Sequence, residues 1–249
     1  MASIFAPSVE GRLFAFAAPL GGARNGRDGM IKAVLWDMDG TLVDSEDIAV
    51  DALEEAMREA DLVPPSDLKE RVIGRSADEI YAIIAAGFGL TADPHHWEQR
   101  KHHHYVMAAD ALSGYDDALA VWRQLDSAGV RQAVVSNSDR AIVDINLRAV
   151  GLSRPGLVTV SRNDVRQGKP DPEGYLRAAY LLGVEPGECV IVEDSTSGAA
   201  AALATGCRTV FVPHSIVAPP DGVHPLADMQ ELMAIVLGSG DERRQGTSS

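Results

Sequence analysis

Hydrophobic positions along the chain fall into two kinds of run. The first is short and almost continuous: Ala33-Val34-Leu35-Trp36, residues 130–135, residues 157–160, Cys189-Val190-Ile191-Val192 and residues 208–212. Runs of this length, rich in β-branched residues, predict strands buried on both faces of a parallel sheet. The second kind has helical spacing and lies between them, over 115–128, 139–150, a stretch ending at Gly183, and 196–205. Glycines close these stretches, and Asp171 is placed to cap the third, with Pro172 in its first turn. The last is small and alanine-rich, as a helix packed close to a sheet requires. Alternating strand and helix signals predict βαβ units and an α/β fold.

One interval breaks the alternation. Between the first strand and the second lie about ninety residues without a strand-like run, patterned as helices near 46–61, 67–73, 76–87 and 94–109. Pro64-Pro65 and Gly87-Phe88-Gly89 join them. The interval is too long for a crossover and too patterned for a loop, so it predicts an inserted helical domain. The expected division is a core of 31–45 plus 114–237, an insert of 46–113, an N-terminal extension of 1–30 and a disordered polar tail of 238–249. Residues 13–20 faintly imitate the apolar part of a signal peptide, but no basic segment precedes them. The extension therefore reads as disordered or as the product of a start site placed too early, with Met30 as an alternative start.

Charge narrows the partners. The 249 residues carry a formal net charge of −14. Such a surface repels nucleic acid and anionic lipid, so neither is expected as a partner. It repels anionic substrates as well, so a phosphate site has to supply its own positive charge. Only four lysines are available: Lys32, Lys69, Lys101 and Lys169. No stretch approaches the length needed to span a bilayer. Cys189 and Cys207, the only cysteines, read as buried thiols of a reducing compartment, and the expected location is cytoplasmic. Nothing in the chain chooses between a monomer and a homodimer.

The candidate chemistry lies where the predicted strands end. In doubly wound sheets, ligands bind outside the carboxyl ends of the strands. The first strand runs into Asp37-Met38-Asp39-Gly40-Thr41, the second into Ser136-Asn137, the third towards Gly168-Lys169-Pro170, and the fourth into Glu193-Asp194-Ser195. Each motif alone is ordinary: D-x-D-G-T occurs in calcium loops, Ser-Asn and Glu-Asp-Ser in helix caps, and Gly-Lys-Pro in loops. Four of them, each at a strand end, predict one site.

Phosphoryl transfer needs an in-line nucleophile and positive charge around the phosphoryl oxygens. Asp37 is the expected nucleophile, forming an aspartyl-phosphate, and Asp39 the general acid and base. Magnesium prefers hard oxygen ligands, which Asp37, the carbonyl of Asp39, Asp194 and Glu193 supply. Gly40, Thr41, Ser136, Asn137 and Lys169 are the expected phosphate contacts, with Lys169 answering both the phosphate and Asp37.

These four motifs resemble those of the haloacid dehalogenase-like hydrolase superfamily, in order and over roughly residues 31–213. The resemblance implies a Rossmann-like doubly wound core, a magnesium ion, and an α-helical cap closing over a small phosphorylated metabolite. The similar branches are the phosphoglycolate phosphatases, sugar phosphatases and β-phosphoglucomutases. A dehalogenase lacks the second acid, whereas Asp39 is present here. Phosphonoacetaldehyde hydrolases use a cap lysine, and residues 46–66 contain none. The mutases carry a cap histidine and a cap arginine where this chain has Ala49 and Ala77. Phosphatase is thus expected ahead of mutase, and a catalytically silent binding protein comes third, because the acids and the lysine are all present.

In the insert, Gly74-Arg75-Ser76 resembles the branch's specificity loop, so Arg75 is the expected contact to the substrate's polar end. His95, His96, His102, His103 and His104 do not predict a metal site, since consecutive helical residues point about 100° apart. Trp97 and Tyr105 are expected in the insert's core.

Overall fold

The structure, a computed structural model, describes residues 30–238 apart from 74 and 76. The expectations for the N-terminal extension up to residue 29, for Gly74 and Ser76, and for the tail beyond Gly238 lie outside the described residues.

The continuous apolar runs form the strands expected of them. They are β1 (Ala33–Trp36), β4 (Arg131–Val135), β5 (Val158–Val160), β6 (Cys189–Glu193) and β7 (Arg208–Phe211), with a short β8 (His224–Pro225) at the edge. Sheet order is β5-β4-β1-β6-β7-β8, and every pairing is parallel. This is a Rossmann-like doubly wound sheet. The chain leaves β1 towards β4 on one side and returns to β6 on the other, so the topological switch point falls at the carboxyl end of β1.

Side-chain alternation along these strands builds two cores. Val34, Trp36, Val134, Val190, Val192 and Val210 face helices α5 (Asp116–Ser127), α6 (Arg140–Ala149) and α9 (Glu231–Leu237). Ala33, Leu35, Ala133, Val135 and Ile191 face α7 (Glu173–Leu182) and α8 (Thr196–Ala204). The buried Gln132 is satisfied internally: Trp36 Nε1 donates to Gln132 Oε1 at 3.0 Å, and Gln132 Nε2 donates to the Trp122 carbonyl at 3.1 Å.

Helices α1 (Glu46–Glu59), α2 (Leu68–Val72), α3 (Ala77–Phe88) and α4 (Pro94–Ala108) occupy the interval without strands. They bury a separate cluster that includes Leu53, Met57, Leu68, Ile84 and Trp97. Each fully buried side chain of this kind contributes about 1.5–3 kcal/mol, so the insert has its own stabilising core. Its two connections to the sheet pair as a ribbon, β2 (Val43–Asp44) antiparallel to β3 (Ser113–Gly114). Tyr105 departs from expectation: its ring packs in the main core, beside Ile48 and Leu112, while Trp97 stays in the insert. Helix α7 also begins one residue later than expected. Pro172 is its N-cap, and the Asp171 side chain accepts from the Glu173 amide at 2.9 Å.

Candidate active site

Register delivers the motifs to one edge. Trp36, the last residue of β1, pairs with Val134 and Val192, and the next amide, Asp37 N, donates to the Val192 carbonyl at 2.9 Å. Asp37 therefore leaves the sheet level with Val135 and Glu193, and Ser136 and Asp194 follow one residue further on at the same edge. Gly40 makes the turn that follows, with φ of +82°. A Cβ there would lie 2.2 Å from Asp194 Oδ2, so the position requires glycine for space as well as conformation.

Asp37, Glu193 and Asp194 each present a carboxylate oxygen within 4.8 Å of the others, and they are the one such group found among the described residues. Lys169 Nζ donates to Asp37 Oδ1 and, at 2.7 Å, to Glu193 Oε1. The ammonium lies 4.9 Å from the centre of the Tyr175 ring, and the Tyr175 hydroxyl donates to the same Glu193 oxygen. The other Glu193 oxygen accepts from Ser195 Oγ at 3.1 Å. Gly198, in the first turn of α8, leaves the space that Glu193 fills, since a Cβ there would fall 1.9 Å from Oε1.

The charges in this group do not balance. Three carboxylates face one ammonium, which leaves two negative charges uncompensated when all are ionised. Burial pushes the Asp37 carboxyl well above the usual range, only partly opposed by Lys169, and pushes Asp194 up to about 7 with help from Glu193. Burial works against the Lys169 charge too, but Asp37 and Glu193 outweigh it and raise its pKa. A surplus of two negative charges on hard oxygen donors is the chemistry a divalent cation satisfies.

This surplus has a measurable consequence. Folded Asp194 keeps its proton up to about pH 7, whereas the unfolded chain releases it near 3.8, so the ion-free fold loses stability as pH rises between those values. The melting temperature of chelator-treated protein is expected to fall from about pH 5 to about pH 7. Magnesium at millimolar concentration, or Asp194→Asn, should flatten that slope. A slope unaffected by either would contradict the charge assignment.

The carboxylate of Asp39 belongs to a different set. Its Oδ1 accepts from Ser45 Oγ at 2.7 Å and Asn146 Nδ2 at 3.0 Å, and its Oδ2 from Ser136 Oγ at 3.0 Å and Ser138 Oγ at 2.9 Å. Four donors thus fix a carboxylate two residues from Asp37. Thr41 is buried, and its hydroxyl donates to Asp194 Oδ1 at 3.4 Å. Asn137 grips the lysine loop: its Oδ1 accepts from Lys169 N at 2.8 Å, and its Nδ2 donates to the Lys169 carbonyl at 3.2 Å. Arg75 is exposed, and its Nε donates to the Arg71 carbonyl at 2.7 Å. The expected motif residues therefore converge, while Arg75, in the loop after α2, folds back on that helix.

The loop after β7 contributes two supports that the sequence did not disclose. His214 Nε2 donates to the Gly40 carbonyl at 2.9 Å, and Ser215 Oγ donates to the Asp194 carbonyl at 2.6 Å. The His214 ring stacks on Tyr115 at 3.8 Å. Since a carbonyl only accepts, Nε2 is the donor in this contact, and the buried Nδ1 finds no partner among the described residues. The histidines of α4 disperse instead of converging: His96 pairs with Asp93, His104 with Glu59, and His102 lies between Glu98 and Asp139.

The chain is similar to known proteins. A family model described as haloacid dehalogenase-like hydrolase matches residues 31–206. The chain belongs to the haloacid dehalogenase-like hydrolases. Phosphoglycolate phosphatase of Rhodospirillum rubrum is 33% identical over 202 residues, covering 77% of this chain and 83% of that protein. Hexitol phosphatase A of Escherichia coli is 32% identical over 181 residues, covering 73% and 82%. The crystal structure of CbbY from Rhodobacter sphaeroides in complex with phosphate superposes with a TM-score of 0.74 at 23% identity, covering 82% of this chain and 96% of that one, and shows the shared fold. The haloacid dehalogenase-like assignment makes the chain a hydrolase. Among the described residues, no helix is long and apolar enough to cross a membrane.

Proposed function

We propose that the protein is a magnesium-dependent phosphatase of a small phosphorylated metabolite, of the sugar, polyol or phosphoglycolate class, working through an aspartyl-phosphate on Asp37. The observation that carries this reading is the largely buried group of Asp37, Lys169, Glu193 and Asp194 with a separately held carboxylate, Asp39, two residues from the nucleophile. Asp37 Oδ attacks phosphorus as the bond to the leaving oxygen breaks, and Asp39 gives that oxygen its proton. Asp39 then takes a proton from water as the water oxygen attacks phosphorus and the bond to Asp37 breaks, which frees inorganic phosphate and restores the Asp37 carboxylate and the protonated Asp39.

Lys169 keeps Asp37 aimed and brings its positive charge to the phosphoryl group, with Thr41, Ser136 and the backbone from Gly40 as uncharged contacts. Asp37, Asp194, the carbonyl of Asp39 and Glu193 would hold magnesium, which supplies charge neutralisation for the phosphoryl oxygens when bound. The Glu193 oxygens already take Lys169, Tyr175 and Ser195, so its contribution is chiefly to orient Lys169 and the Asp194 loop. Helices α1–α4 act as the cap, and Arg75 has to leave its contact with Arg71 to touch a substrate.

Water is the favoured acceptor because Ala49 stands where the mutases carry a cap histidine and Ala77 where they carry the arginine that grips a second phosphate. The two phosphatases named above, each at least 32% identical, support the same choice. The test is phosphate release from a panel of glycolate, sugar and polyol phosphates. Release is expected with magnesium, lost on chelation and restored by the ion. Isomer interconversion dependent on a bisphosphate activator would instead make the protein a mutase, and no turnover on the whole panel would favour the silent reading.

A further inference from the structure

The acid/base assignment of Asp39 leaves one buried polar pair unexplained. Helix α6 turns Ile142, Val143 and Leu147 towards the core, and in the middle of that apolar stripe stands Asn146, with 0% of its surface exposed. An amide does not displace an aliphatic side chain at such a position without partners that require it. Asn146 has one at each end. Its Nδ2 donates to Asp39 Oδ1 at 3.0 Å, and its Oδ1 accepts from the Tyr105 hydroxyl at 2.9 Å. Tyr105 comes from α4 of the helical insert, 41 residues earlier in the chain, and is itself buried.

We propose that Asn146 and Tyr105 are positioning residues for proton delivery by Asp39. This inference rests on the general-acid role given to Asp39 above. The amide can face only one way: a carboxylate oxygen needs the NH2 end, which leaves the carbonyl end for the phenol. Tyr105 thereby fixes the Asn146 amide, and Asn146 fixes one oxygen of the acid. Ser136 and Ser138, on the loop after β4, hold the other oxygen. Asp39 is thus suspended between the sheet edge and helix α4, and its aim depends on a helix outside the core.

A role in proton delivery predicts a selective loss. The value of kcat/KM reports events up to the first phosphoryl transfer, where a poor leaving group needs a proton and a good one does not. The full-length, magnesium-loaded protein is to be assayed with phenyl phosphate and p-nitrophenyl phosphate. Asn146→Leu should lower kcat/KM for phenyl phosphate by about tenfold more than for p-nitrophenyl phosphate, a fraction of what general acid catalysis commonly supplies. Tyr105→Phe, which keeps the ring packing, should shift the same ratio by about threefold and carries the test if Asn146→Leu does not fold. Asp39→Asn serves as the reference.

If Asp39→Asn is selective against phenyl phosphate while the folded Asn146 and Tyr105 variants lose both substrates equally, or neither, these residues are core packing and the inference is wrong. If Asp39→Asn itself shows no selectivity, the acid assignment fails and the inference falls with it.

Discussion

Replacing Asp37 with asparagine is expected to lower kcat/KM for p-nitrophenyl phosphate by about 10⁴-fold or more, while raising the melting temperature of the ion-free protein. The two effects share one cause. Asp37 is buried beside Glu193 and Asp194, and burial drives its carboxyl well above the usual range. An amide keeps the shape and still accepts from Lys169, which retains Glu193 as a charged partner. It removes one of the uncompensated negative charges and with it the nucleophile. Stability gained where activity is lost is the pattern expected of a site whose acids are gathered for function. A relief of about 1 kcal/mol would appear as roughly 2–4 °C in a chain of this size. Activity within tenfold of wild type, or a lower melting temperature, would contradict the assignment.

Lys169→Met is expected to have the opposite effect on stability and a similar direction of effect on activity. The lysine side chain is 7% exposed and is shared by Asp37 and Glu193, at 9% and 0%. At that burial solvent screens little, and removing one partner leaves carboxylates buried without their counter-charge. Losses of this kind run to about 3–5 kcal/mol, so a fall in melting temperature on the order of 10 °C is expected in the ion-free protein. Asp37 should suffer most, because Glu193 keeps the Tyr175 hydroxyl and Ser195. Magnesium should restore more stability to this variant than to wild type, since it supplies charge the methionine cannot. Calorimetry with and without the ion reads both numbers. Equal melting temperatures for variant and wild type would show that Lys169 is not the counter-ion of the pair.

Much of this was legible because the chemistry sits in short motifs attached to strongly patterned strands. Cys189-Val190-Ile191-Val192 can only be a buried strand, so Glu193 and Asp194 had to emerge at its end. The same reasoning placed Asp37, Asp39 and Ser136. The two-residue strands β2 and β3 were not legible, because two residues carry no period. Nor were Tyr175, His214 and Ser215, whose roles depend on tertiary contacts across 18, 174 and 21 residues of chain. Asn146 did leave a trace, as the polar residue in the buried stripe of α6, though without α4 in place nothing named its partners. The grip of Asn137 on the Lys169 backbone, through both ends of its amide, was likewise not legible, since it spans 32 residues of chain. Arg75, the residue expected to meet the substrate, lies in the loop after α2 and donates to the Arg71 carbonyl of that helix, a tertiary detail without a signal in the motif.

The central claim is that a phosphoryl group passes through Asp37. Borohydride added during turnover of p-nitrophenyl phosphate reduces an acyl phosphate to the alcohol, and peptide mass spectrometry then locates it. Homoserine is expected at position 37, dependent on substrate and magnesium and absent from Asp37→Asn. Continued turnover with position 37 unmodified, or modification at another carboxylate, would contradict it.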